Sequence, residues 1–306
     1  MILKPRKIPE PLQLRYYLKP RMAFTDGELK KFQADEKGFE GECHFDELIN
    51  QSPVSTYLQL NDLLLEWRNT TFQIDTLLIS PYKIYLFDIK NYEGEFYIEG
   101  NRWYLSSGIE IKNPIPQIQR SESFLRPLTQ TLGLNLPIEA SVIFVNPDFT
   151  LYQATRQLPI ILPTQINSFI KRLGSLSMNS NGHMIDLAKK LASLHIEDSP
   201  YNSMHIPEYT YDSLKKGVSC LNCGSLSIRL DGRGLMCERC GGKEELHVGI
   251  MRTIEEYRAL FPKRQITVSA ANDWCRLGMT RLRMQKILKE HLVMDKAGKS
   301  TYYSFR

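Results

Sequence analysis

The stretch FQIDTLLISPYKIYLFDIK, residues 72–90, decides the fold of the first half of this chain. Its two ends, 72–79 and 84–90, are rich in β-branched and aromatic residues, and the Ser-Pro-Tyr-Lys between them has the composition of a turn. The pattern predicts a β-hairpin with a short loop. Three helices and one buried strand are predicted on either side: helices over 38–49, 116–132 and 164–173, and a strand over 140–145. Helices that flank a sheet of hairpin and crossover strands make a three-layer α/β core.

The predicted hairpin brings two carboxylates and a lysine onto one face of the sheet. If the loop is symmetric about the Pro81–Tyr82 bond, Asp75 is the direct neighbour of Asp88. Opposed carboxylates with Cβ atoms roughly 5 Å apart repel each other unless a cation lies between them. Lys90 lies on the same face as Asp88, because side chains alternate along a strand. Oxygen ligands of this kind suit Mg²⁺ or Mn²⁺.

The helix predicted over residues 38–49 offers a third carboxylate. Glu42, Phe45 and Ile49 recur at helical spacing, which places Glu42 on the apolar face of that helix. A plainer alternative is that the two aspartates end their strands in water and the lysine forms an ordinary ion pair with them. Asp88 stands in a nearly continuous apolar run, where a merely solvated acid is unexpected, and this context favours a metal site.

The order of short motifs along this half of the chain resembles that of a known family. The motifs are Lys-Gly-Phe-Glu-Gly-Glu at 37–42, Gln-Ile-Asp at 73–75, Phe-Asp-Ile-Lys-Asn at 87–91, the single residues Gly94 and Trp103, and Asn-Pro-Ile-Pro-Gln at 113–117. Together they are similar to the NERD (nuclease-related) domain over roughly residues 35–172. That domain belongs to the PD-(D/E)xK, restriction-endonuclease-like group.

The resemblance implies a fold and a set of roles. The fold is a restriction-endonuclease-like mixed sheet flanked by helices, and the implied cofactor is Mg²⁺ or Mn²⁺. The resemblance implies that Glu42 is the helix acid, Asp75 the metal-bridging acid, Asp88 the second metal ligand and Lys90 the catalytic lysine, and that Gln117 is the family's glutamine after the Asn-Pro. The position of Asp88 is most often glutamate in the family, and aspartate retracts the carboxylate by roughly 1.5 Å. Metal binding is expected to survive this change, with a lower rate of turnover.

Four cysteines form two CxxC pairs separated by thirteen residues: Cys220, Cys223, Cys237 and Cys240. Each pair is followed by a glycine, which permits the tight turn that a zinc knuckle needs. Four thiolates suit tetrahedral Zn²⁺ and leave no open coordination position, so the predicted role is structural. The residues between the pairs can form a hairpin that turns at 231–234, which predicts a zinc ribbon. Redox or disulfide pairs are the alternative.

The C-terminal region carries the basic charge of the chain. Residues 250–306 contain twelve Lys or Arg against five Asp or Glu, a net charge of +7, while the whole chain has +5. From Thr267 the pattern predicts a helix, a turn at Gly278, a second helix capped by Thr280, and a hairpin that turns near 296–299. This arrangement resembles a winged helix-turn-helix, in which the second helix enters the major groove of DNA.

In that second helix an apolar stripe is predicted to be buried, namely Met284, Ile287, Leu288 and His291. The other side is a cationic face predicted to bind nucleic acid, formed by Arg281, Arg283, Gln285, Lys286 and Lys289. A solvated helix face is the alternative. The regional charge and the adjacent ribbon favour contacts with phosphates.

The sequence therefore predicts five segments: a basic extended arm over 1–34, a nuclease-related domain over 35–197, a linker over 198–216, a zinc ribbon over 217–248 and a winged-helix-like module over 249–306. No apolar run approaches the roughly 18 residues of a membrane span, and the N-terminus lacks a secretory signal, so we expect a cytoplasmic protein without membrane contacts. The expected function is metal-dependent hydrolysis of DNA. The alternatives are a catalytically silent nucleic-acid-binding or regulatory protein and a protein–protein adaptor. Nothing in the residues fixes the oligomeric state.

Overall fold

A computed structural model of the protein describes residues 1–51, 57–175, 182–197, 206–297 and 300–305. The chain divides into two compact units, each formed from two segments. Unit 1 comprises Met1–Ile8 and Gln33–Pro200, and unit 2 comprises Pro9–Phe32 and Tyr201–Arg306.

The first two-thirds of the chain alternates strands and helices. In chain order these elements are β1 (Ile2–Lys4), α1 (Glu10–Leu18), α2 (Asp26–Asn50), β2 (Leu58–Trp67), β3 (Thr70–Ile79), β4 (Ile84–Lys90), β5 (Gly94–Glu99), β6 (Arg102–Leu105), β7 (Glu110–Ile111), α3 (Ile115–Thr131), β8 (Ile138–Phe144), β9 (Phe149–Tyr152), β10 (Ile160–Ile161), α4 (Pro163–Ser175) and α5 (Gly182–Ser193).

Unit 1 is built on a mixed six-stranded sheet in the order β1-β2-β3-β4-β8-β10. The strands β2, β3 and β4 are antiparallel, whereas β1, β8 and β10 each run parallel to their neighbours. A smaller sheet in the order β7-β6-β5-β9 accompanies it. This mixed α/β architecture, with helices flanking the sheet, confirms the predicted fold class.

Alternation along β4 assigns the two faces of the main sheet to different cores. Ile84 and Leu86 pack with the residues of α3, whereas Tyr85, Phe87 and Ile89 pack with residues of α2 and α4. The hairpin of β3 and β4 pairs Thr76 with Phe87 and continues to the loop in the predicted register, which is therefore confirmed. By this alternation Asp88 and Lys90 lie on the face covered by α3.

The prediction of an extended arm over residues 1–34 is wrong. The segment contains β1, α1 and the first turns of α2. Leu14 and Leu18 of α1 are buried one turn apart, and the proline in the first turn of this helix is tolerated there because its missing N–H would have no helical partner. The basic composition is misleading because Arg15 and Arg21 are buried rather than solvated.

Helix α2 begins at Asp26, twelve residues before the predicted start at Gly38. A capping box marks its first turn: the Thr25 hydroxyl accepts a bond from the Glu28 backbone N–H, and the Thr25 N–H donates to the Glu28 carboxylate. Glycine at position 41 permits close packing, since a Cβ atom there would lie 2.6 Å from the Cβ of Asn91.

Unit 2 contains a three-stranded sheet, further helices and a hairpin. Besides α1, its elements are β11 (Ile228–Asp231), β12 (Gly234–Cys237), β13 (Lys243–Glu245), α6 (Leu246–Leu260), α7 (Val268–Cys275), α8 (Arg281–His291), β14 (Val293–Ala297) and β15 (Ser300–Ser304). One core joins Leu235 of the small sheet to Ile254 and Trp274 of the helices. Of the predicted linker, residues 198–205 lie outside the described residues, and Leu214 is buried in this core.

The helical pattern predicted for the C-terminal region largely matches these elements. Thr280 caps α8, with its side chain accepting a bond from the Arg283 backbone N–H, and Met284, Ile287 and Leu288 are buried as predicted. His291 is exposed, so the prediction that it belongs to the buried stripe is wrong. Its ring stacks on that of the half-buried His247, with the ring centroids 5.1 Å apart. Residues 298 and 299 of the predicted turn lie outside the described residues.

Within the described part of the chain, none of the helices has the length and apolar content needed to cross a membrane.

Candidate active site and metal centre

Strands β3 and β4 bring Asp75, Asp88 and Lys90 together where their ladder ends. Asp75 Oδ2 accepts a hydrogen bond of 2.7 Å from the backbone N–H of Ile89. Lys90 Nζ lies 2.8 Å from Asp88 Oδ2, and Gln117 in the first turn of α3 donates from Nε2 to Asp88 Oδ1 over 2.9 Å. The strand acids, the lysine and the glutamine predicted as catalytic residues are therefore neighbours in the structure.

Glu42, the third predicted carboxylate, is held by Arg6, which lies two residues after the end of β1. Arg6 Nη1 lies 2.6 Å from Glu42 Oε2. Helix α2 contributes Phe45 and Ile49 to the core on the sheet face opposite Asp88 and Lys90. Glu42 thus approaches Asp75 from a different layer, and the three carboxylates are not gathered as closely as the four cysteines described below.

Burial raises the pKa of all three acids, and repulsion by a neighbouring acid adds to the effect at Asp75 and Glu42. Burial, reinforced by the charge of Asp88, raises the pKa of Asp75 to about 7. Burial and the charge of Asp75 raise the pKa of Glu42 to about 8, although Arg6 opposes the change. Burial also raises the pKa of Asp88 against the opposing charge of Lys90. Each carboxylate is therefore costly to keep ionised in this site, and a bound cation would lower that cost.

Lys90 is a charged group at neutral pH. Burial lowers its pKa, but the carboxylates of Asp88 and Asp75 outweigh that effect and raise the pKa above its ordinary value. An ammonium held in this way is suited to electrostatic stabilisation of a phosphate rather than to proton abstraction.

The residues present fit a hard divalent cation. Asp88 Oδ2 is buried and has no hydrogen bond of normal geometry within the described residues, although the Lys90 ammonium lies beside it. A divalent cation would share this oxygen with Lys90, and an oxygen-only donor set suits Mg²⁺ or Mn²⁺. A bound cation would also relieve the repulsion between Asp75 and Asp88.

The four cysteines of the two CxxC pairs converge in unit 2. All four Sγ atoms lie within 4.8 Å of one another. The Sγ atoms of Cys220 and Cys240 are 3.6 Å apart, and those of Cys223 and Cys237 are also 3.6 Å apart. Tetrahedral zinc with Zn–S bonds of about 2.3 Å needs sulfur atoms about 3.8 Å apart. The glycine after each pair has positive φ, as a knuckle requires. The cluster is compatible with a bound metal ion.

The cationic face of α8 is largely exposed. Arg281, Arg283, Lys286 and Lys289 are exposed, and Gln285 is half-buried. Lys286 Nζ lies 3.9 Å from Glu290, and Arg283 donates to the carbonyl of Gly232 over 3.4 Å. These contacts are weak, so the positive charges remain available to a polyanion.

Comparison with known families identifies one domain within unit 1. Residues 37–145 match the model of the nuclease-related domain. The chain contains a nuclease-related domain. The five predicted catalytic residues on α2, β3, β4 and α3 fall within the matched segment of this nuclease-related domain, whereas Arg6 and the four cysteines fall outside it.

No curated protein matches the chain in sequence. A solved structure, that of protein VC1899 from Vibrio cholerae, is similar over 56% of this chain and 51% of that one, with 12% identity and a TM-score of 0.27. The match spans about half the length of either chain. A TM-score this low supports no conclusion about fold or function.

Sequence reasoning missed two residues of the candidate site, Arg6 and Asp46. Asp46 lies four residues after Glu42 on α2 and accepts a bond of 2.8 Å from Arg6 Nε. The spacing of the two acids places them on one helix face, and this pattern in the sequence could have predicted a cationic side chain shared by both. Nothing comparable marks Arg6, because its proline-rich surroundings resemble a solvated tail.

Proposed function

We propose that this protein is a metal-dependent nuclease that hydrolyses phosphodiester bonds in DNA, with Mg²⁺ or Mn²⁺ as its cofactor. The observation that supports the proposal is the close grouping of Asp75, Asp88 and a charged Lys90, in which the Lys90 ammonium lies 2.8 Å from a buried oxygen of Asp88. The nuclease-related match over the same residues supports it independently.

Each side chain has a distinct task in the proposed reaction. Asp75 and Asp88 would hold the cation, and Glu42 would contribute a third carboxylate. Gln117 fixes the rotamer of Asp88 through its bond to Oδ1. Lys90 offers an ammonium that orients the nucleophile or neutralises charge on the phosphate oxygens. The bound cation would supply Lewis-acid polarisation of the phosphate and a lower pKa for the attacking water.

Unit 2 is proposed to engage the substrate. The cysteine cluster binds one structural Zn²⁺, which ties together the loops around the small sheet. Helix α8 and the hairpin of β14 and β15 are proposed to act as a winged-helix-like module that contacts DNA phosphates through the cationic face.

A catalytically silent nucleic-acid-binding protein is the second candidate function. Two observations favour it: aspartate rather than glutamate stands at position 88, and Lys90 lies 2.8 Å from that carboxylate, where it partly satisfies the charge that a cation would meet. In an adaptor, the third candidate, binding to DNA would be weak and insensitive to salt.

Cleavage assays distinguish the candidates. Purified protein is incubated with linear and circular DNA in Mg²⁺, in Mn²⁺ and in chelator, beside Lys90→Ala. Cleavage that needs the divalent ion and Lys90 supports the nuclease. Binding without cleavage over a panel of DNA and RNA substrates would replace it with the silent protein.

A further inference from the structure

Arg6 lies outside the segment matched to the nuclease-related domain, yet its side chain is buried among the acids of the candidate site. It is only 4% exposed. Nε and Nη2 donate to the two carboxylate oxygens of Asp46 over 2.8 and 3.3 Å, and Nη1 donates to Glu42 Oε2 over 2.6 Å. Both acceptors lie on one face of α2, because they are four residues apart.

The same guanidinium also binds β3. Its Nη2 donates to the backbone carbonyl of Asp75 and to the hydroxyl of Thr76, both over 2.9 Å. One planar group therefore joins the helix that carries Glu42 to the strand that carries Asp75. A guanidinium presents its donors in a fixed fork, so these bonds set the position of the helix acid relative to the strand acid.

Asp46 is the anchor of this arrangement. Besides Arg6, it accepts hydrogen bonds from the side-chain amides of Gln59 and Asn61, over 3.3 and 3.1 Å. Both amides belong to buried residues of β2. An acid held from several sides fixes the guanidinium that it binds, so Arg6 has little freedom to leave Glu42.

Arg6 leaves half of the Glu42 carboxylate unoccupied. Oε2 accepts the bond from Nη1, whereas Oε1 accepts no hydrogen bond from the described residues. We infer that Arg6 is a positioning residue of the active centre, which holds Glu42 by one oxygen beside Asp75 and leaves the other oxygen available to a divalent cation. This inference rests on the proposed function, because it assigns Arg6 a role at the same metal site.

Lysine at position 6 would keep the charge without the fork. An ammonium has three donors on one nitrogen and cannot bind both acids of α2 and both acceptors of β3 in this geometry. Arg6→Lys therefore separates the requirement for positive charge from the requirement for orientation. Arg126, exposed on α3 and paired with Glu122, offers a matched loss of arginine in the same unit.

A double-mutant cycle tests whether Arg6 acts through Glu42. The Kd for Mn²⁺, supplied as MnCl₂, is measured by calorimetry on the full chain for wild type, Arg6→Gln, Glu42→Gln and the double variant. Arg6→Gln should weaken Mn²⁺ binding at least tenfold in the wild-type background. In the Glu42→Gln background it should change the Kd by less than about threefold, because the group that it positions is gone.

The outcomes are separable. Arg6→Lys should lose less affinity than Arg6→Gln, and Arg126→Gln should lose none. If Arg6→Gln fails to fold by circular dichroism, the cycle is run with Arg6→Lys, whose loss must also vanish with Glu42→Gln. Equal losses in both backgrounds would overturn the role of Arg6 and leave the proposed function standing. No Mn²⁺ binding by the wild-type protein would overturn both.

Discussion

Replacing Asp75 with asparagine is predicted to stabilise the metal-free protein at alkaline pH. Burial and the charge of Asp88 raise the pKa of Asp75 from an ordinary 3.8 to about 7. The folded protein thus binds this proton more tightly than the unfolded chain does. Its contribution to the free energy of unfolding is complete below about pH 4 and is lost as the pH rises to about 7.

The size of the effect follows from the same pKa values. A difference of one in pKa corresponds to about 1.4 kcal/mol, so a change from 3.8 to about 7 bounds the loss at roughly 4 kcal/mol by pH 8. An ionised carboxylate relaxes towards water, which reduces the cost to about 1–3 kcal/mol. Asparagine avoids this cost and still offers an oxygen to the backbone N–H of Ile89.

Urea unfolding in chelator at pH 5 and pH 8 checks this prediction, with hydrogen exchange of the main sheet as a readout that is specific to unit 1. Asp75→Asn should unfold at higher urea than wild type, by a margin that is larger at pH 8 than at pH 5. Asp148→Asn, a change at an exposed aspartate of the same unit, should leave the midpoint unchanged. A variant that is no more stable than wild type at pH 8, or a margin independent of pH, would refute the reasoning.

Three further predictions concern the proposed metals and DNA. Lys90→Ala should bind Mn²⁺ as well as wild type or better in calorimetry, since a competing charge is gone, while the rate of DNA cleavage falls by a factor on the order of 10² to 10³; equal losses of binding and rate would make Lys90 structural. Elemental analysis should find one zinc per chain and almost none after Cys220→Ser with Cys237→Ser, and a metal-free wild type would discard the site. Replacing Arg283, Lys286 and Lys289 with Glu should weaken DNA binding at least tenfold, about 1.4 kcal/mol, and should reduce the dependence of the DNA affinity on salt concentration. Replacing the exposed Lys189 and Lys190 with Glu controls for a general effect of charge. If both sets of substitutions weaken DNA binding equally, the cationic face of α8 is not a specific DNA-binding surface.

The hairpin register could be predicted from the sequence because it depends on local chemistry. A short polar loop between two apolar runs restricts the pairing to few registers, and the observed pairing of Thr76 with Phe87 is the one that a symmetric loop requires. The cap at Thr280 and the buried positions 284, 287 and 288 are local for the same reason.

The start of α2 and the environment of the N-terminal residues were not predicted correctly. The capping box at Thr25 and Glu28 precedes a segment that is mostly polar, so the apolar period that usually confirms a helix is weak there. The basic composition near the N-terminus indicates exposed side chains, whereas Arg15 is buried because other residues pack against it. A charged residue is buried when distant parts of the chain supply its partners, and local patterns do not contain that information.

The candidate site shows how these two kinds of information combine. Asp75 and Asp88 follow directly on the last observed pair, Thr76 with Phe87, and alternation puts Lys90 on the face of Asp88, so the sequence alone is sufficient to bring these three residues together. Glu42 belongs to another layer, and its carboxylate accepts a hydrogen bond from Arg6, which is 36 residues away along the chain. If Arg6 positions Glu42 as inferred, a fragment restricted to the matched residues 37–145 lacks the guanidinium that joins α2 to β3. Such a fragment would retain every predicted catalytic side chain and still bind Mn²⁺ more weakly than the full chain.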